Sequence, residues 1–281
     1  MIRAEIVTIG TELTLGIIDN TNATWLARRL TFLGCYVARI IAVRDNLQEI
    51  ASAIKEALRR GADIVVTTGG LGPTDDDITL KSIAEALELK LVPNEEALAF
   101  IENRYRELHK RGLVKHIRLT PERLKMAMLP EGSKPIFNPI GTAPGAIIWF
   151  RKTAIICLPG VPQEMKEMFK SYVEPFIVKI TGRVHSKLVK IWTNCNNELS
   201  LSMVTRRVLK RFPEVYIKPL VSHSGRRNAL PITILVRGTS IDGLYSKLRQ
   251  LVSTLAEELK RMGYEIIELE EGEDCAPSAP G

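Results

Sequence analysis

A glycine-rich turn that runs directly into three consecutive aspartates offers the clearest chemistry in this chain, within residues 67–79. An apolar run at 64–66 precedes the turn, and residues 78–87 follow it with helical spacing, so the turn is predicted to join a buried strand to a helix. Glycines expose backbone N–H groups, and the helix N-terminus adds the positive end of its dipole. The sequence therefore predicts a phosphate-binding turn built on Gly69, Gly70 and Gly72.

The three aspartates, Asp75, Asp76 and Asp77, conflict with a simple phosphate site because carboxylates repel phosphate. A divalent cation that bridges carboxylate and phosphate oxygens removes this conflict. Alternatively, Asp75 or Asp76 caps the helix while the other acids complement its dipole. Three acids beside so many glycines favour the phosphate and metal interpretation, with Asp76 and Asp77 as metal ligands.

This stretch resembles the signature of the MoaB/Mog-like molybdopterin-binding domain, and its form at 69–79 is similar to the CinA family of competence- and damage-inducible proteins. Three further blocks agree with that family in the expected order, namely the opening loop at 9–22, the Asn-Pro-x-Gly-Thr-Ala-Pro-Gly block at 138–145 and the Pro-Gly-Val-Pro-x-Glu-Met block at 159–165. The resemblance covers residues 4–178, and the remainder is similar to the small accessory domain of these proteins.

The composition is that of a globular protein, with 281 residues, 45% hydrophobic and 25% charged. No apolar run is long enough to cross a bilayer and no signal sequence opens the chain, so we expect a cytoplasmic protein that does not bind membranes. The four cysteines are scattered without metal-binding spacing, so oxygen ligands must hold any metal. A net charge of +7 suits anionic partners but decides little.

Alternating strand and helix patterns predict an α/β fold in the first part of the chain, with a mostly parallel sheet covered on both faces. The resemblance implies that this three-layer domain, residues 1–180, is of MoaB/Mog type. From residue 184 to 271 the order strand, helix, two strands, helix, strand predicts a small α+β ferredoxin-like domain. Residues 272–281 are predicted to be a tail. The charged helix at 95–111 is predicted to lie outside the sheet. A solvated amphipathic helix is favoured over ligand contact by its Arg104, Tyr105, Arg106 and His109.

The loops that follow parallel strands converge on one edge of the sheet, which places Glu12, Asp45, Asp76 and Asp77 near one another. Capping the helix that begins near Leu47 is an alternative role for Asp45. The resemblance implies that Asp45 and Asp77 are the functional aspartates. It also assigns a catalytic role to Lys125, although Met126 replaces the glutamine that follows this lysine in the family.

The predicted ligand-binding residues lie in the four blocks of resemblance. They are Gly10, Glu12, Asn22, Gly69, Gly70, Leu71, Gly72, Thr79, Gly141, Thr142 and Gly160. Asn20 and Asn22 either cap a helix or contact the ligand, and the loop around Thr142 either lines the ligand or turns the chain. The four histidines lie away from the glycine blocks, so a metal-activated water is favoured over covalent catalysis.

The resemblance implies a metal-dependent nucleotide pyrophosphatase, a hydrolase that converts ADP-ribose or a related dinucleotide to AMP and a sugar phosphate with Mg²⁺, Mn²⁺ or Co²⁺. The further deamidase domain of many CinA proteins is not expected in a chain of this length. The first alternative is molybdopterin binding or adenylylation in molybdenum cofactor biosynthesis. The second is non-catalytic nucleic-acid binding by the basic residues of the second domain, which are Arg206, Arg207, Lys210, Arg211, Arg226 and Arg227. We rank it low, because a solvated face is the commoner role of such helix arginines and residues 224–228 lack the Gly-x-x-Gly of a KH-type clamp. By analogy with homologous folds we expect a homo-oligomer, a dimer or trimer, whose partner is a small-molecule nucleotide.

Overall fold

A computed structural model describes residues 1–220 and 229–275, which form two compact units. The first unit comprises residues 1–31 and 35–177, and the second comprises 32–34 and the described residues from 178 onward.

Residues 3–181 contain eight strands, eight α-helices and one π-helical turn. They are β1 (Arg3–Ile9), α1 (Thr11–Thr14), α2 (Thr21–Phe32), β2 (Tyr36–Val43), α3 (Leu47–Arg59), β3 (Ile64–Thr68), α4 (Thr79–Leu87), β4 (Leu91–Pro93), α5 (Glu95–Lys110), α6 (Pro121–Lys125), β5 (Met128–Pro130), β6 (Lys134–Ile136), β7 (Gly145–Phe150), β8 (Thr153–Leu158), α7 (Pro162–Met168), a π-helical turn (Phe169–Val173) and α8 (Glu174–Thr181).

The main sheet has six strands in the order β2-β1-β3-β8-β7-β6. Strands β2, β1, β3 and β8 are parallel, whereas β7 runs antiparallel to β8 and β6 antiparallel to β7. Thr8 pairs with Thr68, and Thr68 in turn pairs with Leu158, so these strands end at one edge. The predicted mostly parallel α/β sheet is confirmed, and its loops open on a single edge.

Helices α3, α4 and α5 share one hydrophobic core with this sheet, which includes Ile54, Ile83, Ile101 and Val65. The helix predicted as amphipathic at 95–111, α5, packs one face on this core, so Tyr105, which was considered as a possible ligand contact, is a core residue. Ala97, Ile101 and Tyr105 of α5 are buried, because one apolar stripe runs along an otherwise charged helix.

The second unit contains β9 (His185–Thr193), α9 (Glu198–Arg211), β10 (Tyr216–Pro219), β11 (Leu230–Gly238), α10 (Ile241–Arg261) and β12 (Ile266–Cys275). Its sheet has the order β10-β11-β9-β12, and all pairs are antiparallel. This order agrees with the predicted split βαβ arrangement. Because β12 continues to Cys275, residues 272–275 lie in a strand although we predicted a tail there.

Short elements were not predicted, since three to five residues carry too little periodicity to be recognised. They are α1, β4, β5, β6 and α6. None of the helices within the described residues is long and apolar enough to span a membrane. The cytoplasmic location and the homo-oligomer stay predictions.

A buried ion pair fastens the first strand to α3. Glu5 on β1 is fully buried, and both of its carboxylate oxygens accept hydrogen bonds from the Arg60 guanidinium, the shortest at 2.8 Å. The hydrogen bonds to Glu5 raise the pKa of Arg60. The guanidinium compensates a charge that would otherwise be costly in the sheet interior.

We predict that Arg60→Ala lowers the free energy of unfolding by about 3 kcal/mol, since Glu5 would be left buried without its main partner. The neighbouring exposed Arg59 provides the control, and Arg59→Ala should change stability by less than about 0.5 kcal/mol. Guanidinium denaturation of the two variants makes the comparison. Equal stabilities would show that Glu5 does not depend on Arg60.

Candidate functional site

A cleft of about 520 Å³ opens at the carboxyl edge of the main sheet. The loops that follow β1, β2, β3 and β8 meet there, together with the 138–145 loop. Its lining residues are Ile9, Gly10, Glu12, Asp45, Gly69, Gly70, Leu71, Gly72, Pro73, Asp76, Asp77, Leu108, Ile140, Gly141, Thr142, Ala143, Pro159, Gly160, Val161 and Glu164. Most of the predicted ligand-binding residues therefore surround one cavity.

The floor of the cleft is the glycine turn, residues 69–72. Gly69 has φ +113° and Gly70 has φ +65°, values that side-chain-bearing residues rarely adopt. A Cβ on Gly69 would lie 2.1 Å from the Ile9 carbonyl oxygen, and one on Gly70 would lie 2.3 Å from Thr79 Oγ1. Both the backbone conformation and the close packing therefore require glycine.

The backbone N–H groups of the glycine turn have two roles, since one is bonded to a neighbouring strand and the others are candidate donors to a ligand. Gly69 N–H donates to Leu158 O at 3.0 Å, so this group anchors the turn to β8. The N–H groups of Gly70, Leu71 and Gly72 have no partner within the described parts of the chain. These three groups are the candidate donors to a phosphate.

Asp77 is hydrogen-bonded to Thr74, three residues earlier in the segment that follows the glycine turn. Its Oδ2 accepts hydrogen bonds from Thr74 N–H at 2.9 Å and from Thr74 Oγ1 at 2.5 Å. The N-cap of α4 is Ile78, without a side-chain capping bond, so the alternative in which Asp75 or Asp76 caps this helix was wrong. Hydrogen bonding to Thr74 and to its own backbone amide lowers the pKa of Asp76, which keeps this exposed carboxyl ionised.

Asp45 connects the second loop to the first. Its Oδ2 accepts hydrogen bonds from Thr11 N–H at 2.7 Å and from Thr11 Oγ1 at 2.9 Å. The cap of α3 is the next residue, Asn46, which accepts from the backbone of Gln48 and Glu49. Capping by Asp45 was therefore the wrong alternative, and its half-buried carboxylate faces the cleft.

The opposite wall, the 138–145 loop, is held by buried Asn138. Its Oδ1 accepts from Gly141 N–H at 2.8 Å, and its Nδ2 donates to Glu164 Oε2 at 2.6 Å. From α5, Arg104 donates to Gly141 O at 3.0 Å. Glu164, Asn138 and Arg104 were not selected from the sequence. Asn138 and Glu164 lie within the blocks of resemblance, and that position was the sequence signal that could have identified them.

Two predicted site residues, Lys125 and Thr79, lie beside the cleft and are not part of its lining. Lys125 contacts Thr74 O and lines a small recess that also includes Gly70 and Asp77. Thr79 is fully buried and donates its hydroxyl to Gly69 O at 2.8 Å, so it supports the turn from below. Their proposed roles in catalysis and ligand contact stay predictions.

The two asparagines of the opening loop differ in their contacts. Asn20 Oδ1 accepts from Ala23 N–H at 3.2 Å, which is a capping contact at the start of α2. Asn22 instead reaches across the site, where its Nδ2 donates to Gly160 O at 2.8 Å and to Thr68 Oγ1 at 3.1 Å. Asn22 thus joins the first loop to the loop after β8.

The lining of the cleft is strongly acidic. Five carboxylates line it, from Glu12, Asp45, Asp76, Asp77 and Glu164, and no lysine or arginine does so within residues 1–220 and 229–275. No three His, Cys, Asp or Glu side chains of the described residues form a group that would hold a metal ion alone. Mg²⁺ commonly uses one or two carboxylates together with ligand phosphates, so these side chains fit an ion that arrives with a phosphate.

Comparisons with known proteins agree with the sequence blocks. Residues 5–179 match the family described as "Probable molybdopterin binding domain". A protein from Pyrobaculum aerophilum is 42% identical over 76% of this chain and 78% of its own length. Another, from Aeropyrum pernix, is 37% identical over 95% of this chain and 97% of its own length, which includes the second unit.

A solved structure supports the same relationship. The crystal structure of the protein CinA from Thermoplasma acidophilum, described as of unknown function, is 42% identical to this chain. It aligns with a TM-score of 0.55 over 62% of this chain and 97% of the CinA chain. The resemblance inferred from the sequence blocks is confirmed.

We predict that Gly160→Val weakens the binding of AMP at least about tenfold without lowering the melting temperature. A Cβ at Gly160 meets only Gly69 Cα, at 3.4 Å, so the added side chain occupies the cleft without displacing the backbone. By contrast, Gly70→Val should lower the melting temperature as well, because of its positive φ and the contact with Thr79. Calorimetric titration and thermal melting separate the two effects. Wild-type AMP affinity in folded Gly160→Val would place the ligand elsewhere.

Proposed function

We propose that this chain, which belongs to the family of molybdopterin-binding domains, binds molybdopterin or a closely related phosphate-bearing ligand in the cleft. The family match over residues 5–179 supports this proposal. The observation that carries it is the glycine turn, whose N–H groups at Gly70, Leu71 and Gly72 have no partner among the described residues. A ligand phosphate would accept hydrogen bonds from this backbone.

The cleft also suits the remainder of such a ligand. Its volume of about 520 Å³ falls in the usual range for small-molecule sites. Apolar side chains of Leu108, Ile140 and Val161 offer surface to a planar ring, while Thr142 adds a hydroxyl to the lining. In this proposal the protein acts in molybdenum cofactor biosynthesis, either by holding the pterin or by presenting it for adenylylation.

Metal-dependent pyrophosphate hydrolysis is the second candidate, and the acidic lining is the observation that favours it. A dinucleotide carries two phosphates, which five carboxylates would repel unless a divalent cation accompanied it. Mg²⁺, Mn²⁺ or Co²⁺ would be held by Asp76 and Asp77 together with the phosphates, and when bound it would neutralise charge and lower the pKa of a water. The expected products from ADP-ribose are AMP and ribose 5-phosphate.

The roles of the protein's own groups follow from their positions in this second candidate. The glycine turn would orient one phosphate, and Asp45, fixed by Thr11, would accept a proton from the attacking water. Glu164 is held by Asn138 on the opposite wall, where it would keep the 138–145 loop against the ligand. Lys125, through Thr74 O, would hold the aspartate segment in place.

The two candidates are separated by one panel. Binding and turnover are measured with molybdopterin, ADP-ribose, FAD and NAD, each with several divalent ions. Tight binding of molybdopterin without turnover of the dinucleotides supports the first candidate, and metal-dependent release of AMP supports the second. An inert protein that binds none of the four would overturn both.

Nucleic-acid binding retains its low rank. Of the basic residues that suggested it, Arg207 donates to Glu258 at 3.2 Å, which places it in an ion pair. Arg226 and Arg227, with the 224–228 segment that lacks a Gly-x-x-Gly, lie outside the described residues.

If the second candidate holds, we predict that excess chelator abolishes AMP release from ADP-ribose and that added Mg²⁺, Mn²⁺ or Co²⁺ restores it. The reason is that the carboxylates of the cleft need a cation before a pyrophosphate can enter. Chromatographic quantification of AMP provides the measurement. Full turnover in chelator would contradict the metal-dependent mechanism.

For the same reaction we predict that Asp77→Asn lowers turnover by about a hundredfold or more while the fold persists. The asparagine Oδ1 still accepts the hydrogen bond from Thr74 N–H, so the turn keeps its shape and only the charge is lost. Asp75→Asn is the matched control, because Asp75 is exposed and does not line the cleft. Similar rates for the two variants would return Asp77 to a purely structural role.

A further inference from the structure

Two further recesses of the first unit lie beside the cleft. The first, which we name the slot, has about 100 Å³ and shares Ile9, Glu12 and Gly160 with the cleft. The second, which we name the dish, has about 550 Å³ and shares residues 19–21 with the slot. The shared lining residues place the three cavities next to one another, in the order cleft, slot and dish.

The slot contains an acceptor that lacks a donor. The Nδ2 of Asn22 is engaged by Gly160 O and Thr68 Oγ1, whereas its Oδ1 is buried without a hydrogen-bond partner in the described part of the chain. Leaving such a group unpaired costs about 1–3 kcal/mol. An N–H or O–H group of a ligand that passes through the slot would satisfy it.

The dish differs from the cleft in charge and in surface. Its lining includes two cationic side chains, Arg28 and Lys166, beside the indole of Trp25, with Asp19 as its single carboxylate. Lys166 Nζ lies 6.0 Å from the Trp25 ring centroid. Trp25 is itself held edge-on against buried Phe169, with ring centroids 5.3 Å apart. A fixed aromatic ring in a recess that is also lined by basic side chains suits a ring that carries an anionic group.

We propose that the dish is a second ligand subsite, which takes the far end of the ligand whose first phosphate lies on the glycine turn. The group it accepts is a sugar or planar ring bearing a phosphate or carboxylate, with the ring against Trp25 and the anion facing Arg28 and Lys166. This subsite rests on the proposed function, because the glycine turn anchors the first phosphate. It selects elongated ligands with two anionic ends over compact ones with a single end.

The test compares a long probe with a short one on the full chain. The long probe is the α,β-methylene analogue of ADP-ribose, which cannot be cleaved, and the short probe is AMP, both titrated calorimetrically with Mg²⁺. In the double variant Arg28→Gln/Lys166→Gln we expect the affinity for the long probe to fall about tenfold and that for AMP to stay unchanged. Lys170→Gln is the matched control, since Lys170 is a half-exposed cation outside the dish, paired with Glu167.

Tryptophan fluorescence reports on the dish directly. The chain has three tryptophans, so Trp149→Phe/Trp192→Phe leaves Trp25 as the only emitter. The long probe should quench its emission, and AMP should not.

Each outcome decides a different claim. Unchanged affinity of the double variant for the long probe, or equal losses for both probes, overturns the dish while the glycine-turn site stands. A wild-type protein that binds neither probe overturns the pyrophosphatase candidate and the dish with it, whereas molybdopterin binding is decided by the ligand panel. Loss of AMP binding in Gly160→Val, together with selective loss of the long probe in the double variant, supports both.

Discussion

The close approach of two backbones is the constraint on which the rest of the site depends. At the end of β3 the chain passes so near the Ile9 carbonyl that a Cβ on Gly69 would lie 2.1 Å from that oxygen. The Gly69 N–H reaches Leu158 O and its carbonyl accepts from Thr79, so β1, β8 and α4 all fix this one residue. Because the turn is fixed from three sides, the N–H groups of the next three residues are held without any ligand present.

Electrostatics sets the second constraint. Thr11 and Thr74 each use two donors on one aspartate, Asp45 and Asp77 respectively, which keeps both carboxylates in place. The acidic cleft therefore accepts a phosphate most readily when a cation accompanies it, whereas the dish carries its own cations. The cleft would thus bind an anion through a cation that accompanies it, and the dish through its own basic side chains.

Much of this arrangement was predictable from the sequence because parallel strands bring their carboxyl ends together. That rule, with the blocks of resemblance, predicts that Gly10, Asp45, Gly70, Asp77 and Gly160 lie at one edge. The sequence could not distinguish Asp45 from Asn46 as the cap of α3, since both residue types are good caps and only the position of Thr11 decides between them.

Residues that act through long-range contacts were the ones missed. Arg104 belongs to a charged helix, and its partner at Gly141 is 37 positions away along the chain, so periodicity alone gave no sign of the contact. The same is true of Asn138 and Glu164, which are 26 positions apart. Tertiary packing, which local pattern does not encode, creates these walls of the cleft.

The central claim, that the glycine turn receives a phosphate, is tested most directly by following backbone amide resonances during titration with AMP and Mg²⁺. The account predicts that the largest shifts occur at Gly70, Leu71 and Gly72 and that they saturate together, while Gly69, whose N–H is already bonded to Leu158 O, moves less. Saturating shifts that cluster elsewhere, with these three amides unmoved, would contradict it.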